Sequence, residues 1–195
     1  MHIWHDVDEE FFRRRNLKVT KEYVDIIKNM HLPAAAVYTK EKYNIEESVE
    51  EIVDEWLDLC AQGYLNNVDL KDGVYEYLKS LHEKGIKMAF ATASEKAVCE
   101  ETLKKQEIFD FFSASAYVSE INIGKTEPDI YLLAAERIGV DPHECIVFED
   151  IIEVIRGAKK GEFTTCGVFD KSSAKDENEI RRIADYYIKS FEELL

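Results

Sequence analysis

From about residue 70 onward, short apolar runs alternate with amphipathic segments, and this alternation constrains the fold more than any other feature of the chain. The helical pattern "DGVYEYLKSLHEK" places Val74, Leu78 and Leu81 on one face and ends at Gly85. Strand-length runs follow in "IKMAFAT", "SASAYV", "CIVFED", "TTCGVFD" and "DYYIKSF". Between them stand "EKAVCEETLKK", "PDIYLLAAERI" (stopped by Gly139), "IIEVIRGAKK" and a charged segment near 175–183, all with helical spacing. Strands joined through helices are parallel strands joined by crossovers. The pattern therefore predicts a doubly wound α/β fold with a parallel sheet over residues 71–195. Such sheets bind ligands beyond the C-terminal ends of their strands.

Residues 1–70 follow a different grammar and predict a small all-helical unit. "IWHDVDEEFF" repeats apolar residues at Ile3, Trp4, Val7, Phe11 and Phe12. Thr20 can cap "KEYVDIIKNM", with Val24, Ile27 and Met30 on one face. Pro33 stands where a first helical turn tolerates it. Ser48 and Glu51 form a capping box, since hydroxyl and carboxylate each satisfy an orphan N–H. The helix that they open points Val49, Ile52, Val53, Trp56 and Leu59 inward.

A net charge of −15 repels phosphate backbones and argues against a nucleic-acid partner. The densest basic run, Arg13–Arg15, follows Asp8, Glu9 and Glu10 and reads as a solvated helix face. The four cysteines, Cys60, Cys99, Cys145 and Cys166, show no metal-binding spacing and suit reduced thiols in a cytoplasmic protein. No signal peptide and no apolar run near 18 residues is seen, so a membrane partner is not expected.

Three strand ends carry chemistry. Thr92, Ala93 and Ser94 follow "KMAFA", Glu149 and Asp150 close "CIVFED", and the loop "NIGKTEPD" puts Lys125 just before a helix. The Thr92 hydroxyl and neighbouring N–H groups can donate to phosphate oxygens at a helix N-terminus. Lys125 can neutralise charge on a phosphoryl group, and the two carboxylates suit Mg²⁺. Each residue also has an ordinary structural role: Thr92 or Ser94 as a helix cap, Lys125 as a surface charge, Glu149-Asp150 as a strand terminus. Their occurrence together at successive strand ends favours the chemical reading.

"KMAFATAS", "GKTEPDIYLLAAERIGV" and "CIVFEDIIEVIRGAKK" resemble motifs II, III and IV of the haloacid dehalogenase (HAD) superfamily, in its β-phosphoglucomutase-like and phosphatase subgroup. The resemblance covers essentially the whole chain, with residues 1–70 similar to the helical cap. It implies a Mg²⁺-dependent phosphatase or phosphomutase of a small phosphorylated metabolite. It further implies that Thr92, Ser94 and Lys125 contact the phosphoryl group, and that Glu149 and Asp150 help to hold Mg²⁺. Thr126 stands where the family has Pro, and Ile151 and Val154 where it has small residues.

The family's nucleophile and acid/base lie on an apolar strand ending in Asp-x-Asp-Gly-Thr. The only Asp-x-Asp here is Asp6-Val7-Asp8, preceded by just "MHIWH" and followed by "EEFFRRR". Residues i and i+2 of a helix do not share a face, so the segment reads as a solvated first cap helix. The chain as given is thus expected to lack the first core strand and to carry no aspartyl-phosphate chemistry. Three explanations compete: an internal Met recorded as the start, a short form whose gap is filled by another strand or a partner, or a non-catalytic remnant that binds a phosphorylated ligand or a protein. Two unpaired strand edges would favour self-association. Substrate choice would lie with the cap, where Trp4, His5, Tyr38 and Lys42 are candidates.

Overall fold

The structure, a computed structural model, describes residues 3–27, 30–121 and 123–195. The chain divides into two compact units, Met1–Val68 and Asp69–Leu195.

Among the described residues the first unit contains four helices: α1 (Ile3–Arg14), α2 (Lys21–Ile27), α3 (Leu32–Tyr43) and α4 (Val49–Asn67). Local chemistry sets their ends. The Thr20 hydroxyl accepts the Tyr23 N–H at 3.2 Å, and the Ser48–Glu51 capping box opens α4. The expected end of α2 at Lys28 and Asn29 lies outside the described residues. Phe11, Phe12, Tyr23, Ala36 and Ile52 are fully buried at the centre. Phe12 meets Tyr23 and Tyr43 edge-on, with ring centroids 4.9 and 4.7 Å away, a geometry that adds to area burial.

Two sequence expectations fail here. Asp6 is exposed, but Asp8 is only 8% exposed and not on a solvated face. It stands next to Val7 and one helical turn before Phe12, so the stripe that buries those residues takes its carboxyl inward. Arg15 likewise leaves the solvated basic face expected of Arg13–Arg15. Its guanidinium lies 3.8 Å over the Phe11 ring and pairs with Glu47 and Glu55, each at 2.6 Å. Arg13 and Arg14 remain exposed and pair with Glu10.

The second unit begins with α5 (Val74–Glu83) and continues β1 (Ala89–Thr92), α6 (Lys96–Lys105), β2 (Ala114–Tyr117) and a single turn α7 (Val118–Ile121). Then come α8 (Asp129–Ile138), β3 (Ile146–Glu149), α9 (Ile152–Lys160), β4 (Thr164–Val168), α10 (Glu177–Ile183) and β5 (Tyr186–Ile188). Every pairing is parallel, with Thr92 beside Tyr117, Glu149 beside Gly167 and Val168 beside Ile188. Helices cover both faces, as alternation along β3 shows. Val147 packs with Ile130, Ala134, Val154 and Ala158 of α8 and α9, whereas Phe148 packs with Tyr77 of α5 and with Phe191. The doubly wound α/β class is thus present. The strands do not form one sheet, however: β1 pairs with β2, and β3, β4 and β5 form a separate three-stranded sheet.

Burial without full compensation pushes the Asp8 carboxyl up to about 6, the nearby His5 pulling it down only in part. Because the folded value lies above the unfolded one, stability is greatest when Asp8 is protonated and falls as pH rises from about 4 to about 6. We expect Asp8→Asn to raise the melting temperature at pH 7.5, by an amount corresponding to about 2 to 3 kcal/mol, and to change it little at pH 4. Thermal denaturation of both proteins across that range provides the check.

Candidate functional site

The C-terminal strand ends of the second unit collect the charged and hydroxyl groups singled out in the sequence. β1 ends at Thr92, whose hydroxyl oxygen accepts the Ser94 N–H at 3.0 Å and shapes the turn into α6. No side chain caps the first turn of α6, so its N–H groups point at the same turn without a side-chain acceptor. Ala93 is exposed and Ser94 half-buried. The Thr92 hydroxyl also reaches the Cys99 thiol; burial pushes the pKa of that thiol up, and the hydroxyl works against the rise.

Lys125 comes from the loop before α8; Asn122, which opens that loop in the sequence reading, lies outside the described residues. Its ammonium makes an ion pair with Glu149, which closes β3 and is 8% exposed. The other Glu149 oxygen accepts the Asp150 N–H at 2.9 Å. Burial, then the hydrogen bond and charge of Glu149, push the Asp150 carboxyl up to about 6. The structure thus brings Lys125, Glu149 and Asp150 together at the end of β3. Thr92, Ala93 and Ser94 stand at the end of β1, on the other sheet.

Some contributors lie outside the sequence reading. Asp170 follows β4 as Glu149 and Asp150 close β3, and its charge also raises Asp150. Burial works hardest on Asp170 itself, yet Lys71 and Ser172 together hold its carboxyl below the usual range. Lys71 binds the Asp170 carboxylate at 2.5 Å and the Phe169 carbonyl at 3.0 Å. The strand-end logic that found Glu149 would have found Asp170 in "VFD". Gly157 is a second omission, and its signal is a lone glycine inside a helical pattern. A Cβ there would lie 2.6 Å from the Lys125 carbonyl oxygen and 2.7 Å from the Thr126 carbonyl carbon. The glycine lets α9 back directly onto the loop that carries Lys125. Lys160 ties the same loop to α9 through Glu127 at 2.6 Å, and the Tyr131 hydroxyl donates to the Lys125 carbonyl at 3.3 Å.

Thr126, Ile151 and Val154, the departures from the expected pattern, have separate fates. Val154 is buried in the layer shared by α8 and α9, and Ile151 is 47% exposed beside Asp150. Thr126 is exposed, and its carbonyl accepts from Lys160 at 3.4 Å.

The second unit is thus a parallel α/β unit that carries an acidic strand end, a paired lysine and a hydroxyl turn. The family model of haloacid dehalogenase-like hydrolases matches residues 4–161, and the chain belongs to that family. Among curated relatives, a phosphorylated carbohydrates phosphatase from Thermotoga maritima is 34% identical over 87 residues, 45% of this chain and 40% of its own. Hexitol phosphatase B from Escherichia coli is 26% identical over 76% of this chain and 64% of its own. The matched stretches span less than two thirds of the length of the first such relatives. Among solved structures, CbbY from Rhodobacter sphaeroides in complex with phosphate superposes with a TM-score of 0.74 at 18% identity, covering 99% of this chain and 89% of that one. The β-phosphoglucomutase from Clostridium difficile gives 0.68 at 19% identity, with 100% and 86% coverage. At these identities the likeness establishes the fold.

Gly157→Ala is expected to cost about 1 to 3 kcal/mol, because the clash is with backbone rather than with a movable side-chain end. Amide exchange in residues 123–127 should speed up in the variant, while exchange in α10 stays as in the parent.

Proposed function

We propose that this chain holds the phosphate- and Mg²⁺-binding parts of a phosphatase or phosphomutase for a small phosphorylated metabolite. The observation that carries the reading is the Lys125–Glu149 ion pair beside Asp150, at a strand end of a fold whose ligands bind at strand ends. The donor set fits a hard cation: two carboxylates are adjacent, and the like charge of Glu149 contributes to raising Asp150. Glu149 and Asp150 would hold Mg²⁺, which prefers a few carboxylates and keeps several waters. Bound there, the ion supplies charge neutralisation for phosphoryl oxygens. Lys125 shares that task and, through Glu149, fixes where the carboxylates stand. The Thr92 hydroxyl and the uncapped start of α6 orient the phosphoryl group by donating hydrogen bonds. Phosphatase names among the partial relatives support this chemical class.

The same reading makes these 195 residues inactive by themselves, because no Asp-x-Asp-Gly-Thr occurs among them. Asp6 and Asp8 do not replace it. They lie on α1 with one side chain in solvent and the other buried, so they present no shared cleft. That observation favours a second reading, a non-catalytic binder of phosphorylated ligands or of a protein. The first unit corresponds to the family's helical cap in the catalytic reading. Four unpaired cysteines suit the reducing cytoplasm, and no helix among the described residues is long and apolar enough to cross a membrane.

Two measurements test the proposal. With Mg²⁺ and acetyl phosphate we expect no turnover above background; turnover lost in Asp6→Asn would overturn the inactive assignment. Titration with Mg²⁺ and inorganic phosphate should show binding that weakens at least about tenfold in Asp150→Ala and in Lys125→Ala, each loss corresponding to about 1.4 kcal/mol or more. Unchanged affinity in both variants would remove the site.

A further inference from the structure

Residues 69–73, which open the second unit, are held at two points. At the first, the Asp72 carbonyl accepts the Phe191 N–H and the Ser190 hydroxyl, each at 3.1 Å. Gly73 has φ +78°, and a Cβ on it would lie 2.5 Å from the Glu192 nitrogen, so α5 starts flush against residues 190–192. At the second, Lys71 reaches the end of β4, where its ammonium donates to the Phe169 carbonyl at 3.0 Å and to one Asp170 oxygen. The other Asp170 oxygen accepts the N–H and the hydroxyl of Ser172 at 2.8 and 2.7 Å.

Strand register brings this contact close to the candidate cation site. Glu149 pairs with Gly167 across the β3–β4 ladder, so Asp170 stands three residues beyond that level on the strand next to the one that Asp150 follows. Among the described residues no three acidic, His or Cys side chains converge as metal ligands. Asp170 is therefore not a third ligand but a charge acting from outside the pair. Its carboxylate and the Lys71 ammonium both reach Asp150, with opposite effects. Such charges are felt within a Debye length, about 10 Å at 0.1 M salt. The Lys71 and Asp170 side chains are 40% and 31% exposed. A pair this wet adds little to stability, but it sets the potential at the carboxylates.

We propose that Lys71 is the resident counter-cation of this strand-end cluster and that a divalent cation at Glu149 and Asp150 competes with it. The inference rests on the Mg²⁺ reading above. The arriving charge repels the ammonium and draws on Asp170, so the Lys71 clamp loosens and residues 69–71 gain freedom. The start of α5 does not follow, because Asp72 and Gly73 hold it on residues 190–192. Linkage makes the effect reciprocal: what Mg²⁺ does to Lys71, Lys71 does to Mg²⁺. Lys71 thus tunes the affinity of a site that it does not ligate, and cation occupancy is felt where the chain passes from the first unit into the second.

Titration of the full chain with Mg²⁺ at low ionic strength tests this. Lys71→Met should tighten Mg²⁺ at least about fivefold, and Asp170→Asn should weaken it at least about fivefold, the Asn keeping an acceptor for Ser172. Lys71→Arg, which keeps the charge, should bind as the parent does. Opposite signs separate charge from scaffolding, since damage to the end of β4 would weaken Mg²⁺ in both variants. One arm needs no substitution. The Val74 N–H donates to the Lys71 carbonyl at 3.1 Å, and its exchange should quicken as Mg²⁺ saturates while that of the Phe191 N–H stays constant. Shifts of the same sign, unchanged affinity in Lys71→Met, or Val74 exchange indifferent to Mg²⁺ would overturn the inference. Asp150→Ala keeps it apart from the reading beneath it. If that variant loses Mg²⁺ while Lys71→Met does not gain affinity, the clamp falls and the site stands. If Asp150→Ala binds Mg²⁺ as the parent does, the site falls and the clamp with it.

Discussion

An apolar layer from α8 and α9 holds two parallel sheets in one unit, although among the described residues no strand of one pairs with a strand of the other. Ile130, Ala134, Ala135, Val154 and Ala158 bury their side chains against Ala89, Ala91 and Ala116 on one sheet and Val147 on the other. Hydrogen-bond ladders fix register inside each sheet, while non-directional packing, helped by hydrogen bonds from Lys87 and Arg137 between α8 and the β1–β2 sheet, fixes the sheets to each other. Everything at the strand ends inherits its position from that layer. The loop bearing Lys125 leads into α8, and α9 touches the loop through the missing side chain of Gly157.

Charge at the site is arranged in opposed pairs. Lys125 answers Glu149, and Lys71 answers Asp170, leaving Asp150 as the carboxylate that feels two like charges and the weaker pull of Lys71. An ion pair removed from water is costly unless its geometry is good, and Glu149 is nearly buried. Keeping such a group at a strand end is consistent with a role in binding rather than in stability.

Much of the architecture is legible in the sequence, because period and punctuation carry it. Gly139 stops α8 in the left-handed conformation where the pattern ends, and Ser48 opens α4 with its capping box. All five strand segments appear, shortened to their hydrogen-bonded centres. Lys125, Glu149 and Asp150 lie together at the end of β3, as the strand-end pattern in the sequence places them. What escaped was tertiary. Asp8 and Arg15 look like surface charges because the helical stripe that buries them is visible only once α3 and α4 pack against α1. The break between β1 and β3, by contrast, matches the two open strand edges that the family resemblance implies, although each run alone reads as an ordinary buried strand.

The hydroxyl turn after β1 and the carboxylates after β3 belong to different sheets. Within a sheet, a hydrogen-bonded ladder would hold such groups at a spacing near 4.8 Å per strand with little freedom. Here no ladder spans the gap between Thr92 and Asp150, and the spacing leans on side-chain packing, whose restoring force is spread over many weak contacts. The distance between the Thr92 hydroxyl and the carboxylates is therefore a compliant coordinate. A methyl more or less at Ala91, Ala134 or Val147 would retune it without touching either group.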